Sequence, residues 1–222
     1  MSIDEAGEGF STEEVAAGEA LFARPWQFLK SAPALEFLPD SEKVEIAFAG
    51  RSNVGKSSLI NALVNQHGLA RTSNTPGRTQ ELNFFETPGV PLFIVDMPGY
   101  GFARAPKANV ESWTALVKNY LKGRPSLVRT FLLIDARHGL KAPDLQVMKL
   151  MDVAAVSYRV VLTKIDKIKP TELARVMQAT LAALARHPAA YPALIATSSE
   201  TGDGIADLRA EIARQFALRG SA

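Results

Sequence analysis

The sequence predicts an α/β domain in which a mostly parallel sheet is covered by helices. Three observations carry that expectation. From Val44 onward, apolar runs of strand length alternate with segments of helical periodicity. The first run is followed at once by GRSNVGKSS, a glycine-bearing turn placed to open a helix. The chain has 222 residues, 47% hydrophobic and 22% charged, enough for one sizeable core.

Taken in order, the strands are expected at Val44–Ala49, Glu81–Thr87, Pro91–Val95, Val128–Asp135, Arg159–Thr163 and Ala193–Thr197. Each is short and rich in β-branched, aromatic or aliphatic residues, as in VEIAFA and VRTFLLID. The intervening helices are expected at Lys56–Asn65, Asn109–Lys122, Pro143–Val153, Thr171–Arg186 and Gly204–Leu218. Only Pro88-Gly89-Val90 separates the second strand from the third, too little for a helical crossover, so that pair is an antiparallel hairpin. Residues 1–18 are polar, glycine-containing and weakly periodic, and read as an acidic disordered leader. Glu19–Lys30 reads as a short helix before the breakers Pro33 and Pro39. One domain, residues 19–222 with a core at about 42–218, completes the organisation.

With no cysteine in the chain, disulfide frameworks and thiolate metal sites are excluded, and a reducing compartment, the cytoplasm, is expected. No window approaches the roughly 20 apolar residues of a membrane span. Net charge is +2, unevenly placed: residues 1–20 hold six acids and no Lys or Arg, so the rest carries 25 bases against 17 acids, a surplus of +8. Such a surplus suits a polyanionic partner.

GRSNVGKSS matches G-x-x-x-x-G-K-[ST] through Gly50, Gly55, Lys56 and Ser57. The loop Gly50, Arg51, Ser52, Asn53, Val54, Gly55 wraps phosphates with backbone N–H groups at a helix N-terminus. Lys56 reaches the β/γ oxygens, and Ser57 offers its hydroxyl to Mg²⁺. The loop specifies a nucleoside triphosphate, and TKID (Thr163, Lys164, Ile165, Asp166) at the end of a later strand selects the base. The Asp166 carboxylate can accept two hydrogen bonds from the N–H edge of guanine, which adenine lacks, while the Lys164 stem lies along the ring. In TSSETGDG, Thr197, Ser198 and Ser199 are candidates to present backbone N–H groups to guanine O6.

The polar stretch TSNTPGRTQELNFF occupies the position of a switch that closes on a γ-phosphate. Of its three candidate magnesium ligands, Thr72, Thr75 and Thr79, the last sits just before a strand and is favoured. Asp96 closes the third strand, placed to hold a magnesium-bound water, and the Gly99 N–H can sense the γ-phosphate. Tyr100 follows, where many proteins with this loop carry a water-orienting glutamine.

Together GRSNVGKSS, TPGRTQ, DMPGYGFA and TKID resemble the EngB (YihA/YsxC) family of bacterial GTP-binding proteins over about residues 20–218. The resemblance implies a P-loop, Ras-like G domain with a six-stranded, mostly parallel sheet and one antiparallel edge strand. It implies Ser57 and Thr79 as magnesium ligands. It implies nucleotide contacts along Gly50–Ser57, at Gly77, Arg78, Thr79, Gln80 and Glu81, at Asp96, Met97, Pro98 and Gly99, at Thr163–Asp166 and at Thr197–Ser199. It also implies association with large ribosomal subunit assembly and a requirement in cell division and septation.

The resulting expectation is a monomeric, Mg²⁺-dependent GTP-binding switch that hydrolyses GTP slowly, with Lys56, Asn53 and Thr79 as its catalytic residues. A division-protein recruitment module with incidental hydrolysis is the alternative. Tyr100 has no amide to position water, and Asn53 resembles the asparagine that holds K⁺ against the phosphates in potassium-activated GTPases. Arg71, Arg78, Arg104, Lys107, Lys118 and Lys122 flank the switches and, with Tyr100 and Phe102 as stacking surfaces, are candidates to read precursor rRNA.

Overall fold

A computed structural model describes residues 9–40, 42–70, 81–101 and 107–220. Its centre is a seven-stranded sheet in the order β1-β3-β4-β2-β5-β6-β7. The strands are β1 (Gln27–Ala32), β2 (Val44–Gly50), β3 (Leu82–Glu86), β4 (Leu92–Asp96), β5 (Leu127–Asp135), β6 (Tyr158–Thr163) and β7 (Ala190–Ala196). The helices are α1 (Thr12–Phe22), α2 (Lys56–Leu63), α3 (Lys107–Gly123), α4 (Ala142–Val153), α5 (Pro170–Leu184) and α6 (Ile205–Gly220).

β4, β2, β5, β6 and β7 run parallel, and β3 runs against both of its neighbours. The β3–β4 pair is the hairpin that its short connection requires, with Asn83 opposite Asp96 and Glu86 opposite Phe93. Alternate residues of β2 serve opposite faces of the sheet, as the strand period dictates. Ala47 and Ala49 pack with Val117 and Tyr120 of α3 and Met148 and Met151 of α4. Ile46 and Phe48 pack with Leu59 and Ile60 of α2 and Leu208 and Ile212 of α6. Helices therefore cover both faces of the sheet, in a doubly wound arrangement.

Two elements correct the expectation drawn from the sequence. A helix over Glu19–Lys30 would enclose Pro25, which lacks an N–H and clashes with the preceding turn. The chain instead forms α1 from Thr12 and then the edge strand β1, which pairs antiparallel with β3 and becomes a seventh strand. α1 begins inside the stretch expected to be disordered. Ser11 caps it, accepting from the Glu14 N–H at 3.2 Å, while the Glu14 carboxylate accepts from the Ser11 N–H at 2.9 Å.

α1 is also fixed from outside. Gly18 lies so close to α6 that a Cβ there would stand 2.6 Å from the Ala210 backbone nitrogen. Arg214 grips Glu14 with two bonds, at 2.7 and 2.8 Å. Arg209 donates to Glu19 at 2.8 Å and to the α2 carbonyls of Leu63 at 2.8 Å and Ala62 at 3.1 Å. One guanidinium thus joins α1, α6 and the C-terminal end of α2, whose last carbonyls have no partner within their own helix.

Candidate functional site

Parallel strands deliver their C-terminal ends to one edge of the sheet, and the functional side chains collect there. β2 ends at Gly50, β4 at Asp96, β5 at Asp135 and β6 at Thr163. Between β2 and α2 the chain turns through Asn53, at φ 63°, and Gly55, at φ 103°. The left-handed region suits glycine, and at Gly55 a Cβ would also lie 3.4 Å from the Lys164 side chain. Lys56 opens α2 and its ammonium pairs with the Asp96 carboxylate, so the head of that helix and the end of β4 meet at one point. Ser57 follows on the same helix turn.

The loop after β4 is tied to the turn after β2 by backbone bonds. Tyr100 donates its N–H to the Gly50 carbonyl at 3.3 Å and accepts from the Ser52 N–H at 3.0 Å. Gly99 abuts Ser52, where any Cβ would stand 2.9 Å from the Ser52 hydroxyl oxygen. Tyr100 itself is buried, and its phenol donates to Asp144 of α4 at 2.8 Å. It is therefore neither a water-positioning group nor a stacking surface for RNA. Aromatic mass beside a glycine has gone into the core.

The loop after β6 is bonded to the same turn. The Thr163 hydroxyl donates to the Val54 carbonyl at 2.7 Å, and the Lys164 ammonium donates to the Asn53 carbonyl at 2.6 Å. Lys164 also pairs with Asp135 at 3.0 Å, and Arg137 grips the same carboxylate at 2.7 and 2.9 Å. Burial pushes the Asp135 carboxyl up, but the bonds from Arg137 and Lys164 outweigh it and hold the group at about 2.

Asp166 lies in a single 3-10 turn, Ile165–Lys167. Its carboxyl is held below the ordinary range by Lys167, at 2.7 Å, and by the Ser198 hydroxyl, at 2.7 Å. Each oxygen of the Asp166 carboxylate thus has a partner within the protein, Oδ1 with Ser198 and Oδ2 with Lys167.

In the loop after β7 the three expected residues separate. Thr197 donates both its N–H, at 2.7 Å, and its hydroxyl, at 2.9 Å, to the Leu162 carbonyl. Ser198 donates its N–H to Asp203 at 3.0 Å and spends its hydroxyl on Asp166. The N–H groups of Thr197 and Ser198 are therefore bonded within the protein.

Gly77, Arg78, Thr79 and Gln80, with Arg71, Thr72, Thr75, Phe102 and Arg104, lie outside the described residues. Glu81 stands immediately before β3, and Met97 and Pro98 line the turn between Asp96 and Gly99. Sequence reasoning missed Asp135, Arg137 and Asp144. For Asp135 a signal existed: a carboxylate at the C-terminal end of a strand in LLIDAR, the edge where α/β sheets place their sites. Among the described residues no group of three or more His, Cys, Asp or Glu is placed to hold a metal, and no helix is long and apolar enough to cross a membrane.

A phosphate-loop turn, a carboxylate-ended strand beside it and a Lys-x-Asp loop bonded to that turn, all on the C-terminal edge of a doubly wound sheet, define a Ras-like P-loop GTPase fold. Residues 45–164 match the family described as 50S ribosome-binding GTPase. The chain is 58% identical over 208 residues to the "Probable GTP-binding protein EngB" of Bradyrhizobium diazoefficiens, covering 93% of this chain and 96% of that one. It is 56% identical over 211 residues to the protein of the same name from Ruegeria pomeroyi, covering 95% of each. A crystal structure of a probable GTP-binding protein engB superposes with a TM-score of 0.62 at 26% identity, covering 79% of this chain and all of that one. Era in complex with MgGDPNP and nucleotides of 16S ribosomal RNA superposes with a TM-score of 0.62 at 23% identity, over 78% of this chain and 57% of that one, a likeness of fold alone. The chain belongs to the EngB family of GTP-binding proteins.

Proposed function

We propose that the protein is a Mg²⁺-dependent switch that distinguishes GTP from GDP, hydrolyses GTP slowly in the cytoplasm as a monomer, and acts in large ribosomal subunit assembly, with consequences for cell division and septation. The observation that carries the reading is the bonding of the loop after β6 to the turn after β2. Thr163 and Lys164 hold the carbonyls of Val54 and Asn53, so a base on Asp166 and phosphates on Gly50–Ser57 are read by one rigid unit. Asp166 accepts from the guanine N–H edge, Ser199 presents its N–H to O6, and Lys56 moves from Asp96 to the β/γ oxygens.

The residues fit Mg²⁺, which takes hard oxygen ligands and keeps several waters when it rides on nucleotide phosphates. Ser57 would hold it together with Thr79, and Asp96 would hold one of its waters. The bound ion neutralises charge that develops on the transferring phosphoryl group. The chain's own residues position: Lys56 fixes the phosphates and Gly99 faces the γ position. Because Tyr100 is turned into the core, no side chain at that position orients water, and unassisted turnover sits near or below roughly 10⁻⁴ s⁻¹.

The partner reading is supported by the +8 body, by the family's description and by Lys118 and Lys122, which stand exposed on α3. Sedimentation of the protein with ribosomal particles at low salt tests it. Co-migration with the large subunit or its precursors should be stronger with a non-hydrolysable GTP analogue than with GDP, and should fall steeply with added salt. Absence of co-migration in either nucleotide state overturns the ribosomal assignment and favours recruitment of division proteins.

A further inference from the structure

We infer that Tyr100 is a positioning residue for the γ-phosphate-sensing glycine, acting through Asp144 of α4. The inference rests on the GTP-switch reading above. Gly99 is the residue whose N–H faces the γ position, and its immediate neighbour is anchored three times. The Tyr100 N–H and carbonyl are bonded to Gly50 and Ser52, at 3.3 and 3.0 Å, which forms an isolated parallel bridge between Arg51 and Tyr100 beyond the β2–β4 pairing. The phenol reaches through the core to the Asp144 carboxylate at 2.8 Å.

Asp144 is itself immobile. Its second oxygen accepts from the Lys141 N–H at 2.8 Å, closing the first turn of α4, and its side chain is buried. A buried hydroxyl-to-carboxylate bond is charge-assisted and stronger than a neutral one, and losing it leaves an acceptor unsatisfied. The backbone bonds form an isolated bridge with no ladder on either side of it to reinforce them. The phenol adds a distant, rigid anchor, so the Gly99 N–H is held in place before nucleotide arrives instead of being ordered at the expense of binding energy. Contacts to the γ-phosphate gain from this fixation. GDP has no group at that position and gains nothing.

The test compares affinities of wild type and Tyr100→Phe for GDP and for a non-hydrolysable GTP analogue, by fluorescence titration. Tyr100→Phe should weaken the analogue by about tenfold and GDP by less than about twofold. Asp144→Asn retains an acceptor for the phenol but loses the acceptor for Lys141, so it should lower the melting temperature and leave the ratio of the two affinities unchanged. Should Tyr100→Phe fail to fold, Asp144→Ala removes the same anchor from the other side and should shift the ratio in the same direction. Equal weakening of both nucleotides, or an unchanged ratio in a folded variant, overturns the inference. A wild type that binds neither guanine nucleotide overturns the GTP reading instead.

Discussion

Thr163 stands where asparagine is commoner in guanine-reading loops, and its hydroxyl is consumed by the Val54 carbonyl. Its task is to hold the phosphate turn, and base selection falls to Asp166. The residue types that meet phosphates and guanine are dictated by chemistry, so Gly55, Lys56, Ser57 and Asp166 are legible in the sequence. Tyr100 and Asp144 are not, because a buried phenol and a helix cap acquire meaning only from neighbours brought in by the fold, while Asp135 left a signal at the strand end of LLIDAR. Asp135 carries a pH signature. Its folded pKa of about 2 lies below the ordinary 3.8, so its contribution is present above 3.8 and is lost as pH falls towards 2. Relative to Asp135→Asn, wild type should be more stable by roughly 2 kcal/mol at about pH 5, with the gap closing on acidification through that window. Thermal unfolding of both proteins across the acid range checks this, and a gap independent of pH would contradict it. Asn53 is exposed on the turn, and its carbonyl is already held by Lys164. The reading of Asn53 as a cation ligand predicts faster GTP turnover in potassium than in sodium chloride at equal ionic strength, whereas a role only in supporting the loop predicts no difference. The difference should vanish in Asn53→Ala, whereas its persistence there would exclude Asn53 as the cation's ligand.

At the scale of elements, the five parallel strands and their helices follow from apolar runs alternating with helical spacing, and the hairpin follows from a three-residue connection. α1 and β1 escaped for two different physical reasons. β1 is an edge strand with its first residues exposed, so it carries little of the burial pattern that marks a strand. α1 shows little helical periodicity and is stabilised mainly by α6, through Arg214, Arg209 and the close approach at Gly18. The Ser11–Glu14 capping box was its only local signal. A methyl group at Gly18 sets two effects against each other. Alanine favours a helix over glycine by roughly 0.5–1 kcal/mol. The contact it makes is with α6 backbone, which cannot rotate away, and overpacking of that kind costs roughly 1–3 kcal/mol. The clash wins, so Gly18→Ala should lower the melting temperature. A variant as stable as wild type would show that α1 does not pack on α6 as described.

Across the whole molecule, topology gathers the candidate site on one edge of the sheet. The acids of the N-terminal segment are not simply a solvated tail: Glu14 and Glu19 neutralise Arg214 and Arg209 on α6. The doubly wound order then brings three loops that are far apart in sequence, after β2, β4 and β6, into one bonded unit. In the proposed function that unit reads the nucleotide's base and its phosphates together, with the acceptor-only carboxylate of Asp166 as its central element. The most direct measurement is competition of GTP, ATP and xanthosine triphosphate for wild type and Asp166→Asn. Wild type should bind GTP and discriminate against ATP by roughly 10⁴ or more, because adenine leaves the carboxylate unpaired. Asp166→Asn should lose GTP affinity and gain preference for xanthosine triphosphate, whose C2 oxygen accepts from the new amide. Equal affinity of wild type for ATP and GTP, or a variant that still prefers GTP, would contradict the account.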